Sequence, residues 1–158
     1  NLVRDSIVVP NGYVTKEEKT VKKKKDDVFR IGYFGSVSYY EGIVELCDVI
    51  EGLHKEGQKI ELLINGKISD HAQKEMEKRI KNPFIIYNSW KQQDELEKDY
   101  QKIDLFCIPR LPYEVCHLVS PLKPFHALSN RIPLLMSDTE VLKDIFVLQL
   151  SSFHKKDE

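Results

Sequence analysis

The sequence predicts an α/β fold in which a mainly parallel, Rossmann-like, doubly wound sheet carries helices on both faces. Short apolar runs rich in β-branched and aromatic residues recur along the chain from Val28, and such runs are typical of buried strands. Apolar residues at helical spacing follow most of these runs. Glycine or polar residues stand where the strands end. Strands and helices that alternate in this way form βαβ units with right-handed crossovers.

Length and composition exclude several classes of protein. The 158 residues fit one domain, since domains commonly have roughly 100–200 residues. The 24 Lys and Arg against 25 Asp and Glu leave a net charge of −1, which argues against a dedicated nucleic-acid-binding module. Hydrophobic residues make up 41%, too many for a disordered chain. We expect a cytoplasmic location, because no apolar run approaches the roughly 20 residues of a transmembrane segment and the first residues lack a signal peptide's apolar block.

The three cysteines are predicted to be reduced thiols. Cys47, Cys107 and Cys116 form an odd set without CxxC spacing, so a disulfide framework is not expected. Cys47 and Cys107 lie in apolar stretches and are predicted to be small buried hydrophobes. Cys116, His117 and His126 lack a recognised zinc spacing, and we therefore predict no metal site.

The regular pattern occupies residues 28–150, the predicted domain. Before it, a short apolar run ends at the turn Pro10-Asn11-Gly12, and Lys16–Asp27 is a charged stretch that we predict to be a solvated loop. Residues 1–27 would then form a junction. Residues 151–158 are predicted to be a polar tail.

The first half of the predicted domain alternates strands with amphipathic helices. Strands are predicted where a short apolar run meets a turn residue, and helices where apolar residues stand three or four positions apart. The elements are, in chain order, a strand at Val28–Phe34, a helix through Ile43 and Leu53 that stops at Gly57, a strand at Ile60–Ile64, a helix with Ala72, Met76 and Ile80 on one face, and a strand at Phe84–Tyr87.

The second half continues the alternation. Leu111–Val119 contains Pro112 and mixed polarity, so it is predicted to be a loop. Ser120 as N-cap and Pro121 as the first helical residue predict a helix that runs to about Asn130. The other elements are a helix at Asp94–Lys102, a strand at Ile103–Ile108, a strand at Pro133–Met136, a short helix at Thr139–Asp144 and a strand at Phe146–Leu150.

A ligand is expected beyond the carboxyl ends of these strands, where open parallel sheets bind their ligands. The glycine turn at Gly35-Ser36 would leave backbone N–H groups open toward a phosphate. The capped helix start would offer the N–H groups of Leu122 and Lys123. A lysine in a first helical turn is unfavourable to the helix itself, which favours contact with an anion. Arg110 could reach the same place, and the alternative that both cations face solvent stays open.

Four segments, in their order and spacing, carry a family resemblance. VVPNG, IGYFGSVSYYEGIVEL, IDLFCIPR and LVSPLKPFHAL resemble the C-terminal, nucleotide-sugar-binding half of a GT-B glycosyltransferase of the retaining group-1 family. The resemblance spans about Ile7 to Ile145. It implies that the turn Pro10-Asn11-Gly12 marks the junction from an N-terminal acceptor-binding domain, which these 158 residues do not contain.

The resemblance also implies roles for individual residues. Contacts to the donor diphosphate would fall on Gly35, Ser36, Ser120, Leu122 and Lys123. The loop with Asn88, Ser89 and Trp90 would hold the base. A tryptophan can stack on uracil or a purine, although core packing of Trp90 remains an alternative. His126 would stand beside the ribose, where it can bond one hydroxyl.

The implied activity is transfer of a hexosyl group from a UDP- or GDP-sugar to a glycan or lipid-linked acceptor, with retention, in polysaccharide biosynthesis. Arg110 and Lys123 would stabilise the departing diphosphate, and no cofactor besides the donor is implied. Without the acceptor-binding domain the cleft cannot form, so we predict that the chain alone is inactive. The longer protein would be cytoplasmic or peripheral at the inner membrane face.

Three positions depart from the family pattern. Glu41 precedes Gly42 where the family has a phosphate-binding lysine, and Leu118 and His126 replace a pair of glutamates. An anion repels a diphosphate, so either Glu41 points away or donor binding is weakened. A degenerate nucleotide-binding or structural module without transferase activity is therefore the alternative.

Two other classes with alternating strands and helices fit less well. A signalling receiver needs acidic residues after its first strand and an aspartate after its third, but those ends have Gly35-Ser36 and Asn88-Ser89. A dinucleotide-dependent dehydrogenase needs a third glycine in its fingerprint, which GYFGSVS lacks.

Overall fold

A computed structural model describes residues 26–145, and they form one five-stranded sheet with helices. Residues 140–145 are also helical, and Tyr39–Glu41 forms a 3-10 turn. The elements are β1 (Phe29–Phe34), α1 (Ile43–Lys55), β2 (Ile60–Asn65), α2 (Asp70–Arg79), β3 (Ile85–Asn88), α3 (Gln93–Tyr100), β4 (Leu105–Ile108), α4 (Glu114–Leu118), α5 (Lys123–Ser129) and β5 (Leu134–Met136).

The strand order places a crevice between β1 and β4. All pairings are parallel, in the order β3-β2-β1-β4-β5, so the chain moves outward from β1 to β3 and then returns to the other side of β1. Such a reversal separates the crossover helices and opens a crevice at the carboxyl ends of the two central strands. The predicted α/β, Rossmann-like fold is confirmed.

The sheet separates two apolar cores. Successive side chains of a strand point to opposite faces, so Leu62 and Ile64 join one core while Leu63 joins the other. The first core takes side chains from α1 and α2, and the second takes side chains from α3 and α5. Helices on both faces explain why the strands are apolar throughout and do not alternate with polar residues.

Two sequence predictions around α4 and α5 are wrong. Leu111–Val119 contains the short helix α4, whose Cys116 is buried with its Sγ 3.5 Å from the Tyr40 carbonyl oxygen. The next helix starts at Lys123 and not at Ser120-Pro121; its N-cap is Leu122, without a side-chain cap. Val119, just before this segment, is extended, and its carbonyl accepts a hydrogen bond from the Arg110 guanidinium.

Several predictions lie outside the described residues. They are the turn at Pro10-Asn11-Gly12, most of the charged stretch, the strand at Phe146–Leu150 and the tail at 151–158. The domain boundaries at residues 27 and 150 therefore stay predictions. The cysteine prediction is confirmed, since Cys47 and Cys107 are free thiols in the cores.

A buried polar network fixes the loop that follows β3. The Asn88 amide donates to Asn65 Oδ1 at 2.8 Å, and the Asn65 amide donates to Asp99 Oδ2 at 2.9 Å. Lys91 and Lys102 donate to the two Asp99 oxygens at 2.5 and 2.6 Å. Burial raises the pKa of Asp99, but the bonds from Lys102 and Lys91 outweigh it, so this pKa lies below its ordinary value.

A matched pair of glycine substitutions tests the packing of the turn before α1. Gly42 has φ 72°, and an added Cβ would lie 1.8 Å from the Pro109 carbonyl oxygen. We expect Gly42→Ala to lower the free energy of unfolding by at least about 1–3 kcal/mol. Gly52 lies inside α1 with open space around it, so Gly52→Ala should raise that free energy by about 0.5–1 kcal/mol. Urea unfolding of both variants measures these free energies. Equal changes in Gly42→Ala and Gly52→Ala would contradict the close packing of Gly42 against Pro109.

Acid titration tests the Asp99 network. Because the pKa of Asp99 is lowered in the folded state, its contribution is present above the unfolded pKa of about 3.9 and is lost as the pH falls through the folded value. We expect Asp99→Asn to cost about 1–3 kcal/mol at pH 7. It should also flatten the loss of stability below about pH 4. The free energy of unfolding is measured by urea from pH 7 to pH 2.5 for the wild type and for Asp99→Asn. If the two free energies fall in parallel over this range, the Asp99 network does not stabilise the fold through its charge.

Candidate functional site

Three buried charged side chains meet at the carboxyl ends of β1 and β4. Glu41 is only 4% exposed. Lys123 Nζ donates to Glu41 Oε2 at 2.7 Å, and Arg110 Nη2 lies 3.4 Å from Glu41 Oε1. The two predicted phosphate-binding cations therefore converge, and Glu41 points toward them. The alternative that both cations face solvent is wrong.

The 3-10 turn delivers Glu41 to this place. Glu41 ends the turn, and Gly42 after it adopts the left-handed conformation. Its missing side chain lets the Pro109 carbonyl approach, and the Leu111 N–H donates to the Tyr40 carbonyl at 2.9 Å. The turn is thereby fixed to the chain that leaves β4. Glu41 and Arg110 are held close together although 69 positions separate them.

Arg110 is held independently of Glu41 and keeps unused donors. Its Nη1 donates to the Val119 carbonyl at 2.8 Å. The residue is 8% exposed, and its buried Nε has no hydrogen-bond partner among the described residues. The 3.4 Å contact to Glu41 is longer than the roughly 2.7–2.9 Å of a strong charge-assisted bond. A guanidinium with this spare capacity can accept an additional anionic partner.

The lysine stem packs into the space that a glycine leaves. A Cβ added to Gly35 would lie 2.2 Å from Lys123 Cε, and Lys123 Nζ lies 4.9 Å from the centre of the Tyr33 ring. Burial holds the pKa of Lys123 below its ordinary value, although the charge and hydrogen bond of Glu41 act in the opposite direction. Glu41 thus favours the ammonium form of a lysine that burial alone would disfavour.

Tyr33 anchors the turn above this cluster. Its hydroxyl donates to the Ser36 carbonyl at 2.7 Å. Burial, and then the negative charge of Glu41, raise the pKa of Tyr33 well above its ordinary value. The phenol is therefore neutral at physiological pH and serves as a fixed donor. Sequence reasoning missed this residue, because an aromatic side chain in a strand is indistinguishable from an ordinary core residue.

The backbone part of the predicted phosphate site is wrong at two points. The Gly35 N–H donates to the Asn65 carbonyl at 2.9 Å and the Val37 N–H to the Lys67 carbonyl, so the turn continues the β1–β2 pairing. The Gly35 amide is not open toward a ligand. Ser120 does not cap a helix. The predicted backbone contacts from Ser36, Leu122 and Lys123 stay predictions, beside the side chains of Arg110 and Lys123.

The other predicted site residues are exposed, and they are called the exposed rim below. Ser36, Ser120, Leu122 and His126 are exposed. Ser89 is also exposed, and Trp90 is 70% exposed, so the core-packing alternative for Trp90 is wrong. β3 lies two strands from β1, or about 10 Å at the usual strand spacing. Trp90 and the charged cluster therefore lie at the same edge of the sheet.

Residues 26–145 contain neither a cluster of metal ligands nor a membrane-spanning helix. No group of three or more His, Cys, Asp or Glu side chains there is arranged to hold a metal ion. None of the helices in that range has the length and apolar character needed to cross a bilayer.

The chain was compared with known proteins. The family model "Glycosyl transferases group 1" matches residues 28–148. No curated protein was found to match the chain.

Solved structures share the fold at low sequence identity. AviGT4, a glycosyltransferase involved in avilamycin A biosynthesis, aligns over 90% of this chain and 42% of its own, with a TM-score of 0.62 and 15% identity. The pneumococcal O-GlcNAc transferase GtfA, in complex with UDP and GlcNAc, aligns over 84% of this chain and 25% of its own. Its TM-score is 0.58 and its sequence identity is 14%. The C-terminal domain of a group 1 family glycosyl transferase (LpcC) from Francisella tularensis aligns over 88% of this chain and 85% of its own. Its TM-score is 0.55 and its sequence identity is 14%.

This chain spans less than half the length of the first two of these proteins and most of the isolated C-terminal domain. The match to the family model covers the whole sheet and the charged cluster. The chain belongs to the group 1 glycosyl transferase family.

Proposed function

We propose that this chain is the C-terminal, donor-binding domain of a retaining glycosyltransferase, and that it binds a UDP- or GDP-sugar at the carboxyl ends of β1 and β4. The observation that carries the proposal is the convergence of the Arg110 and Lys123 side chains at the topological switch point. GtfA, which shares the fold, is described in complex with UDP.

The two cations fit the chemistry of glycosyl transfer. When the bond between the sugar and the phosphate breaks, its electron pair stays on the phosphate oxygen, and negative charge grows on the departing diphosphate. Arg110 and Lys123 would stabilise that charge, each by up to about 2.7–4 kcal/mol in a water-excluded site. The anomeric carbon then bonds the oxygen of an acceptor hydroxyl, whose proton passes to the departing diphosphate. This route uses neither a metal ion nor an additional cofactor.

The exposed rim would hold the nucleoside. Trp90 offers an exposed indole that can stack on uracil or guanine, and the Asp99 network holds the loop that carries it. His126 would face the ribose, and Ser36, Ser89, Ser120 and Leu122 would complete the rim. Gly35 contributes by making room for Lys123.

The acceptor would be a glycan or a lipid-linked sugar, bound by an N-terminal domain that lies outside this chain. The proposal is supported by the partial coverage of AviGT4 and GtfA. The complete protein would act in polysaccharide biosynthesis in the cytoplasm or at the inner membrane face. The 158 residues alone would bind donor and transfer no sugar.

A second candidate function is a nucleotide-binding or structural module without transferase activity. The orientation of Glu41 favours it, because this carboxylate already engages both cations. Leu118 and His126, at positions where the family has glutamates, point in the same direction.

The single tryptophan of the chain allows a direct test of donor binding. We expect UDP or GDP to quench Trp90 fluorescence saturably, because the base stacks on the indole. Inorganic pyrophosphate should leave the fluorescence unchanged, because it has no base to stack on the indole. Lys123→Met should weaken binding of the quenching nucleotide by up to about tenfold, since it removes a charge-assisted bond.

The matched control is Lys143→Met, which removes an exposed lysine paired with Asp138 and should leave nucleotide affinity unchanged. Calorimetry measures the same affinities without relying on fluorescence. Absence of heat and of quenching at millimolar UDP and GDP would reject the donor site and favour the second candidate. Equal losses in both lysine variants would reject Lys123 as the phosphate ligand.

A further inference from the structure

Glu41 contacts the same donor atoms that a bound phosphate would need. Its two oxygens face Lys123 Nζ and Arg110 Nη2, and its side chain is only 6% exposed. Both nitrogens belong to residues at the carboxyl ends of β1 and β4. The carboxylate therefore occupies the place of an anionic ligand.

Both cations also have contacts that do not involve Glu41. Arg110 is anchored by its bond to the Val119 carbonyl, and its backbone follows β4 directly. The stem of Lys123 packs against Gly35, and its ammonium lies over the Tyr33 ring. Glu41 is thus not their only positioning contact, and its charge acts on a ligand in addition.

The charges decide what Glu41 does to a ligand. Two cations and one carboxylate leave a single net positive charge in the buried cluster. The diphosphate of a nucleotide sugar carries a negative charge on each phosphate. Entry of the diphosphate must separate Glu41 from its partners and hold it close to like charge, where burial strengthens the repulsion.

We propose that Glu41 is a specificity-determining residue: an internal counter-anion that competes with the donor's diphosphate for Lys123 and Arg110. Selectivity thereby shifts toward the nucleoside part of the ligand. The proposal rests on the proposed donor site. It assigns to this chain a class of ligand recognised mainly through base and ribose, with the diphosphate contributing little affinity.

The test compares UDP with uridine, which differ only in the diphosphate, by calorimetry on the 158-residue chain. We expect the wild type to bind UDP less than tenfold more tightly than uridine. Glu41→Gln removes the charge and keeps the shape, so it should tighten UDP binding at least tenfold and leave uridine binding unchanged. Glu45→Gln removes an equal charge from the exposed side of α1 and should change neither affinity.

The outcomes separate this proposal from the donor site itself. UDP binding that is equal or weaker in Glu41→Gln overturns the competition and leaves the donor site standing. Absence of UDP and uridine binding by both proteins overturns the donor site and the competition with it. If Glu41→Gln does not fold, the wild type decides alone: a preference for UDP over uridine above tenfold overturns the proposal, and a smaller preference supports it.

Discussion

The buried contact of Glu41 with Lys123 and Arg110 is the constraint on which the carboxyl edge of this sheet depends. Charges removed from water must be paired, and losing one partner of a buried pair costs about 3–5 kcal/mol. The surrounding residues satisfy that requirement: Gly42 lets the turn approach Pro109, Gly35 leaves space for the lysine stem, and the Val119 carbonyl holds the guanidinium. The crevice between β1 and β4 is shaped by this arrangement of charges as much as by the strand order.

The sequence predicted the alternation of strands and helices well, because that alternation depends on local periodicity. The helical spacing of Leu46, Cys47 and Ile50 predicts one buried helix face, and all three lie in a core. The mostly apolar run Ile60–Ile64 predicts a strand that is covered on both faces. The region from Leu111 to Lys123 could not be predicted in the same way. Its helix bounds depend on tertiary contacts, namely Cys116 against Tyr40 and Arg110 against Val119, and no local pattern reports them.

In the candidate site, too, local patterns predicted some features, while tertiary contacts determined the others. That Arg110 and Lys123 could meet was suggested by their places after β4 and in the first turn of a predicted helix, although the sequence left open that both face solvent. The direction of Glu41 did not follow, because it depends on a three-residue turn and on the left-handed conformation of Gly42. The sequence predicted that the Gly35 N–H would bind phosphate, but this N–H is bonded within the sheet. The absence of a side chain at Gly35 instead leaves space for the Lys123 stem. The match to the glycosyl transferase family agrees with the fold, whereas the arrangement of these few charges is particular to the site.

A crystal of the chain soaked with UDP tests most directly whether the charged cluster is the diphosphate site. We expect phosphate oxygens at about 2.7–2.9 Å from Lys123 Nζ and from the Arg110 guanidinium, with the Glu41 carboxylate displaced from both. Ordered UDP elsewhere on the chain, with the contact between Glu41 and Lys123 intact, would contradict the assignment.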